Sequence, residues 1–190
     1  MKPHALTHNN NDFIRGWYTT DLALCDDIVD YFKTNNNTFS GHSSNGVDKN
    51  VKDSTDCYLI DSDLASRYVS MLQDVTAEYI EIYPYVNHYD PWGINEYINI
   101  QQYTPNQAYH GWHTERGTGN STRHMAFMTY LNTIEEGGET EFFHQGLKVK
   151  PEKGLTLVWP VDWTFTHRSC TAPKETKYIT TGWFSYLERN

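Results

Sequence analysis

The stretch YHGWHTERG, residues 109–117, places two histidines and a glutamate within six positions. In an extended segment, residues two apart project to the same side. His113 and Glu115 therefore face one point, while His110, three positions back, points away and reads as a solvated or hydrogen-bonded neighbour. One imidazole and one carboxylate need a further ligand to hold a metal. His167, in WTFTHRS on a predicted late strand, supplies it. His4, His8 and His42 lie in polar segments and read as surface; His88, His124 and His144 have no partner at ligand spacing. Two imidazoles and a carboxylate, with open positions opposite them, make the facial set that suits iron(II) in non-haem oxygenases. Such ligands keep the metal bound yet labile, and leave room for a bidentate co-substrate and dioxygen. Nickel or zinc can occupy the same ligands, because affinity alone does not select iron.

These side chains need a scaffold. The chain has 190 residues, which fits one domain, 1–190, long enough to bury a sizeable core. Only 38% of residues are hydrophobic, so the fourteen tyrosines and six tryptophans must supply much of the core volume. A net charge of −9 argues against nucleic acid or an anionic membrane as partner, since both want a basic patch. Cys25, Cys57 and Cys170 offer neither a disulfide framework nor CxxC-type zinc spacing. The start, MKPHALTHNNNDF, lacks an apolar signal region, and no apolar run is long enough to span a bilayer. The expectation is a cytoplasmic protein with free thiols.

Residues 1–12 are polar and read as frayed. Residues 20–34 predict a helix capped by Thr20, with Leu24, Ile28, Tyr31 and Phe32 as its apolar stripe. Residues 35–56, rich in Asn, Ser and Gly, predict loop or edge strand. Residues 62–83 predict a longer helix whose stripe runs through Leu64, Tyr68, Met71, Leu72, Val75, Tyr79 and Ile82. After Tyr85 come short β-rich runs: INEYINIQQY, HMAFMTYLN, TEFFH, LKVK, LTLVW, TFTHRS and KYITTGWFSYL, separated by TPNQ, RGTGNS, EEGGE and PEKG. The expected fold is mainly β with N-terminal helices. A helical and loop support, 13–90, packs on a double-stranded β-helix (jelly roll) built from about 94–187.

From residue 97 onward the chain resembles the 2-oxoglutarate- and iron(II)-dependent dioxygenases, and among them the prolyl 4-hydroxylase-like branch. QQYTPNQAYHGWHTE resembles that branch's approach to its His-x-Asp. MTYLNTIEEGGETEFF resembles its "YLN…GGET.F" segment, LKVKPEKGLTLVW its "V.P..G..L.F" run, and HRSCTAPKETKYITTGWF its distal histidine followed ten positions on by a basic residue. The resemblance covers about half the chain; the first half matches only loosely, through TFSGHSSNGVDKNVKDSTDCYLI. It implies iron(II) on His113, Glu115 and His167, 2-oxoglutarate as co-substrate, and ascorbate as reductant. It also implies that Lys177 pairs with the remote carboxylate of 2-oxoglutarate, that Tyr103 and Tyr130 hydrogen-bond or line that pocket, and that Trp183 forms an aromatic wall there. The spacing agrees for Lys177: a strand ends after His167, turns at CTAPKET, and a neighbour returns to the same cavity. Plain packing is the alternative for Tyr103, Tyr130 and Trp183. Arg123 matches a basic position that contacts substrate in some relatives; a surface arginine is its alternative. Three positions depart from the branch's pattern. The carboxylate ligand is Glu115 where Asp is usual, which still argues for hydroxylation rather than halogenation. Ala126 replaces a frequent Thr, and Lys52 and Asp53 stand where many relatives have Arg-Thr.

The resemblance implies a hydroxylase acting on a prolyl or similar residue of a peptide or protein, converting 2-oxoglutarate and dioxygen to succinate and carbon dioxide. A free amino acid or small metabolite is the alternative substrate, and a metal-binding jelly roll without turnover the alternative class. A peptide would lie across the barrel mouth, between residues 35–56 and RGTGNS, residues 116–121, which read as a lid or a hairpin loop. Tyr109, Trp112 and Trp159 would then stack on a proline ring or aliphatic chain, and Arg123 would meet a backbone carbonyl.

Overall fold

The computed structural model describes residues 13–43 and 46–187, together with the backbone of Lys2–His4. The expectations for His8, for the side chain of His4 and for fraying at 5–12 lie outside the described residues. The backbone of Lys2–His4 pairs as a strand.

Two helices form where the periodicity predicts them. Helix α1 is Leu22–Thr34 and α2 is Ser62–Ile82. The cap of α1 is Asp21 rather than Thr20: its carboxylate accepts from the Leu24 amide, so Thr20 lies outside the helix. Asp61 caps α2 by accepting from the Asp63 and Leu64 amides. The buried stripes are Leu24, Cys25, Ile28 and Phe32 on α1, and Tyr68, Met71, Leu72, Val75 and Tyr79 on α2. Tyr31 and Leu64 are half-buried, and Ile82, in the last turn of α2, is exposed. No described helix is long and apolar enough to cross a membrane.

Among the described residues, twelve strands make two sheets. They are β1 (Lys2–His4), β2 (Arg15–Tyr18), β3 (Phe39–Ser40), β4 (Thr55–Tyr58), β5 (Trp92–Gly93), β6 (Asn99–Tyr103), β7 (Arg123–Tyr130), β8 (Thr140–Phe142), β9 (Leu147–Val149), β10 (Leu155–Pro160), β11 (His167–Ser169) and β12 (Lys177–Tyr186). The large sheet runs β1-β2-β10-β7-β12-β6-β4-β3, with β5 also paired to β12; the small one runs β11-β8-β9. All pairings are antiparallel. The sequence reading missed β2, a four-residue strand that joins the large sheet beside β10. Too few residues alternate there to register, and the Phe13 turn precedes it.

The large sheet has a different cover on each face. Strand β7 sends Met125 and Phe127 outward into the cluster formed with both helices, and Ala126, Met128 and Tyr130 inward to pack with Phe142, Val149, Leu157 and Trp159. Burial on both faces explains why this central strand reads as a nearly continuous apolar run. A hydroxyl network ties α2 to the sheet: Tyr68 bonds Thr129 at 2.8 Å and accepts from Thr180 at 2.7 Å, and Thr129 meets Thr156 at 2.8 Å. Ala126 sits in register between Trp159 on β10 and Trp183 on β12. A small side chain there leaves room for two indoles on adjacent strands. Cys25, Cys57 and Cys170 are free thiols.

Candidate metal centre and its cavity

The two sheets enclose a cavity of about 640 Å³. His113 and His167 meet across it as one antiparallel pair, exchanging both backbone hydrogen bonds at 3.0 and 2.9 Å. The His113 segment is extended and joins β11 through this bridge and through Ser169 N, which donates to Tyr109 O at 3.0 Å. Two residues on, Glu115 is anchored by its amide to Val161 O. The result is the arrangement the spacing predicts: Glu115 Oε1 lies 3.6 Å from His113 Nε2 and 3.3 Å from His167 Nε2.

Each ring is oriented by a backbone carbonyl. His113 Nδ1 meets Gly111 O and His167 Nδ1 meets Phe165 O, both at 2.9 Å. Those bonds place the proton on Nδ1 and turn both Nε2 lone pairs toward the shared point. Burial lowers the His113 pKa, and the neighbouring His167 adds to this, so His113 is neutral. Burial works to raise Glu115, but the two imidazoles beside it outweigh that and hold the carboxyl well below its ordinary range. Neutral imidazole and ionised carboxylate are the forms that bind a divalent cation. Among the described residues, His113, Glu115 and His167 offer ligand atoms within 4.8 Å of one another. This nitrogen–nitrogen–oxygen set fits iron(II). His110 is not part of it.

Behind the glutamate stands a relay that sequence reasoning did not assemble. Trp183 Nε1 donates to Glu115 Oε2 at 2.9 Å. The Arg123 guanidinium lies 3.3 Å from the Trp183 ring centroid and is held by a two-pronged bond to Glu96, at 2.8 and 2.6 Å. Trp183 thus lines the cavity and positions the carboxylate ligand, while Arg123 is 8% exposed and already paired. Glu96, within INEY, carried no local signal, because its partner is 27 residues away.

Lys177 opens β12 opposite Tyr103 and points into the same cavity. It is 2% exposed, donates to Gly138 O at 2.8 Å and to Ser169 Oγ, and makes no ion pair with a carboxylate among the described residues. Burial pushes its pKa down to about 8. A buried ammonium without a counter-ion is costly, and an anionic ligand removes that cost. The remote carboxylate of 2-oxoglutarate is such an anion, and the cavity runs from Lys177 to the triad.

The remaining predicted residues separate. Tyr103 lines the cavity beneath Lys177 Nζ, which is 5.0 Å from its ring centroid, and its hydroxyl donates to Gln101. Tyr130 does not line the cavity: its hydroxyl donates to Thr140 Oγ1 and Val149 O, which makes it a core tyrosine. Tyr109 stacks on His113 at 3.6 Å and forms part of the wall. Trp112 is outside the lining; it packs edge-on against Phe143 and covers the Arg168 guanidinium at 4.3 Å. Trp159 is buried against His167.

Residues 35–43 and 46–56 form a docked wall. Backbone bonds run from Asp53 N to Ala108 O and from Gly111 N to Val51 O. Within this wall Lys52 donates to Asp56 at 2.7 Å, a buried pair that faces the cavity. Asp53 turns outward to Lys49. RGTGNS contains a short 3-10 turn, Thr118–Asn120, pinned by Arg116, which bonds Arg123 O and Asp162.

Comparison with known proteins follows the same lines. Residues 98–185 match the 2OG-Fe(II) oxygenase superfamily. The chain is 36% identical over 115 residues to probable prolyl 4-hydroxylase 9 of Arabidopsis thaliana, covering 46% of this chain and 40% of that protein. It is 30% identical over 120 residues to prolyl 4-hydroxylase 13 of the same plant, covering 51% and 43%. The match thus spans less than half the length of either curated relative. Among solved structures, a viral collagen prolyl hydroxylase from Paramecium bursaria Chlorella virus-1, in complex with 2OG, superposes with a TM-score of 0.69 at 18% identity, covering 93% of this chain and 97% of that one. A Trichoplax adhaerens prolyl hydroxylase, in complex with a hypoxia inducible factor peptide fragment, gives 0.73 at 14% identity, covering 93% and 85%. These likenesses establish the jelly-roll fold. The segment that matches the superfamily, residues 98–185, carries both histidines, the glutamate and the buried lysine in the order seen here.

Proposed function

We propose that this protein hydroxylates a prolyl residue within a peptide, using iron(II) and 2-oxoglutarate, with ascorbate as reductant. The observation that carries the reading is a single cavity holding both the His113–Glu115–His167 cluster and the buried, carboxylate-free ammonium of Lys177. When bound, iron and 2-oxoglutarate supply the oxidising power: dioxygen is consumed, succinate and carbon dioxide leave, and a substrate C–H becomes C–OH. The chain's own residues do the rest. His113, Glu115 and His167 would hold the metal, and Trp183 keeps one glutamate oxygen occupied so that the other faces the histidines. Lys177 would fix the far end of the co-substrate by a charge-assisted bond. Met128, Trp159 and Ile179 line the cavity with apolar surface that limits water. The prolyl peptide as substrate is supported by the named relatives and by aromatic side chains around the mouth.

The test is to incubate the iron-loaded protein with 2-oxoglutarate, ascorbate and proline-containing peptides, then follow succinate and peptide mass. Gain of one oxygen on proline is expected. Oxidation of a free amino acid, with every peptide inert, would establish the small-molecule reading instead.

Lys177 also sets a pH dependence. Its ammonium is the anion-binding form, and its pKa in the free protein is about 8. Affinity for 2-oxoglutarate should be flat below that value and fall above it, by up to about tenfold per pH unit, until the pKa of the bound form is reached. Titration of the manganese(II)-loaded protein by calorimetry checks this; an affinity unchanged between pH values on either side of 8 would remove Lys177 from the role.

A further inference from the structure

The ligand carboxylate of Glu115 shares its surroundings with a second acidic group. Glu96 lines the same cavity as the His113–Glu115–His167 cluster but offers it no ligand atom. Arg123 faces both carboxylates. Its Nε and Nη2 donate to Glu96 at 2.8 and 2.6 Å, while its Nη1 lies 3.7 Å from Glu115 Oε2 and donates to Glu115 O at 3.3 Å. The guanidinium carbon sits 3.3 Å from the centroid of the Trp183 ring, whose N–H is given to Glu115 Oε2.

We propose that Glu96 is a positioning residue for the metal centre: by holding Arg123 it keeps that guanidinium off Glu115, and so sets the affinity of the site for a divalent cation. The inference rests on the iron(II) reading of the triad and adds to it a residue outside the ligand set. Three observations carry it. The distances rank the two carboxylates, with two short charge-assisted bonds to Glu96 against one longer approach to Glu115 Oε2. A planar fork matched by two oxygens is the stronger partnership, so the arginine stays with Glu96. Next, the competition takes place out of water. Arg123 is 8% exposed, and a buried guanidinium stripped of its carboxylate must find another. Glu96 and Glu115 are the two carboxylates within ion-pair range of it among the described residues. Finally, a guanidinium turned onto Glu115 would oppose a metal twice. It would compete for the ligand carboxylate, and it would set a positive charge beside the point where the dication binds. Paired with Glu96, the arginine is neutralised and Glu115 keeps its charge for the metal.

The test measures manganese(II) binding to the metal-free protein by calorimetry. The wild type should bind one ion, and His167→Ala should lose it. Glu96→Ala should weaken binding about 10- to 100-fold, the range for residues that orient metal ligands. Adding Arg123→Met to Glu96→Ala should bring the affinity back to within about threefold of the wild type, because the competing cation is gone. A salt bridge that merely holds the fold would leave the double variant no better than the single one. Thermal unfolding of the metal-free variants checks integrity; if Glu96→Ala does not fold, Glu96→Gln with and without Arg123→Met carries the same comparison. Wild-type affinity in the Glu96 variant, or a double variant as weak as the single, would overturn the role of Glu96 alone. If the wild type binds no manganese, or His167→Ala binds it as tightly, the metal reading of the triad falls and the role of Glu96 goes with it.

Discussion

Replacement of His167 by alanine is expected to leave a folded protein that no longer retains iron and no longer forms succinate. His167 is 6% exposed, its Nε2 lies 3.3 Å from Glu115 Oε1, and its Nδ1 is tied to Phe165 O. Alanine removes one of three ligands and leaves two, too few for stable retention against water and buffer. A metal that polarises oxygen ligands contributes several kcal/mol, so turnover should drop on the order of a thousandfold or more. The fold should survive, because β11 is held to β8 and to His113 by backbone bonds that alanine keeps. Two measurements decide it: metal per protein by elemental analysis, and succinate from 2-oxoglutarate. A purified His167→Ala protein with stoichiometric iron would show that the metal sits elsewhere.

Lys177→Met should behave in the opposite way toward the metal. Iron stays bound, while the KM for 2-oxoglutarate rises roughly 10- to 100-fold, the value of one charge-assisted hydrogen bond. Methionine is close to lysine in length and brings no charge. Since the ammonium is buried without a carboxylate partner, its removal should not destabilise the ligand-free protein, and its thermal midpoint should hold or rise. That combination separates a ligand-binding role from a structural one. An unchanged KM would refute the assignment. Arginine is a poor control: Lys177 Nζ is already packed against Gly138 O and Ser169 Oγ, and a planar guanidinium needs more room.

Much of this architecture was legible in the chain. The two helices followed from stripes at helical spacing, and their ends moved by only a residue or two, because a carboxylate at Asp21 outcompetes Thr20 as the cap. The strands after Tyr85 followed from alternation and turn residues, and the jelly roll from the resemblance those strands carry. The convergence of His113 and Glu115 was legible because an extended backbone obliges them to face one way. What could not be read was which strand lies beside which. Strand β2 is too short to show its period, yet it completes the sheet against β10.

The aromatic residues show the division most clearly. Tyr103, Tyr130, Trp112 and Trp183 look alike in the chain: each is a large ring near a candidate ligand motif. Local spacing fixes the side of the strand from which each emerges, and burial of apolar area fixes that it will be covered. Neither fixes the partner of its polar edge, which is set by residues tens of positions away. Tertiary packing sent the Tyr130 hydroxyl to Thr140 and Val149, set Trp112 over Arg168, and aimed the Trp183 indole N–H at Glu115 across 68 residues of sequence. It likewise paired Arg123 with Glu96 and brought Phe39, Tyr58 and Tyr97 from three separate segments to one rim. The candidate metal centre lay in residue types and in the short spacing of His113 and Glu115; the arrival of His167 and the shape of the cavity come from long-range contacts that form only when the two sheets close on each other.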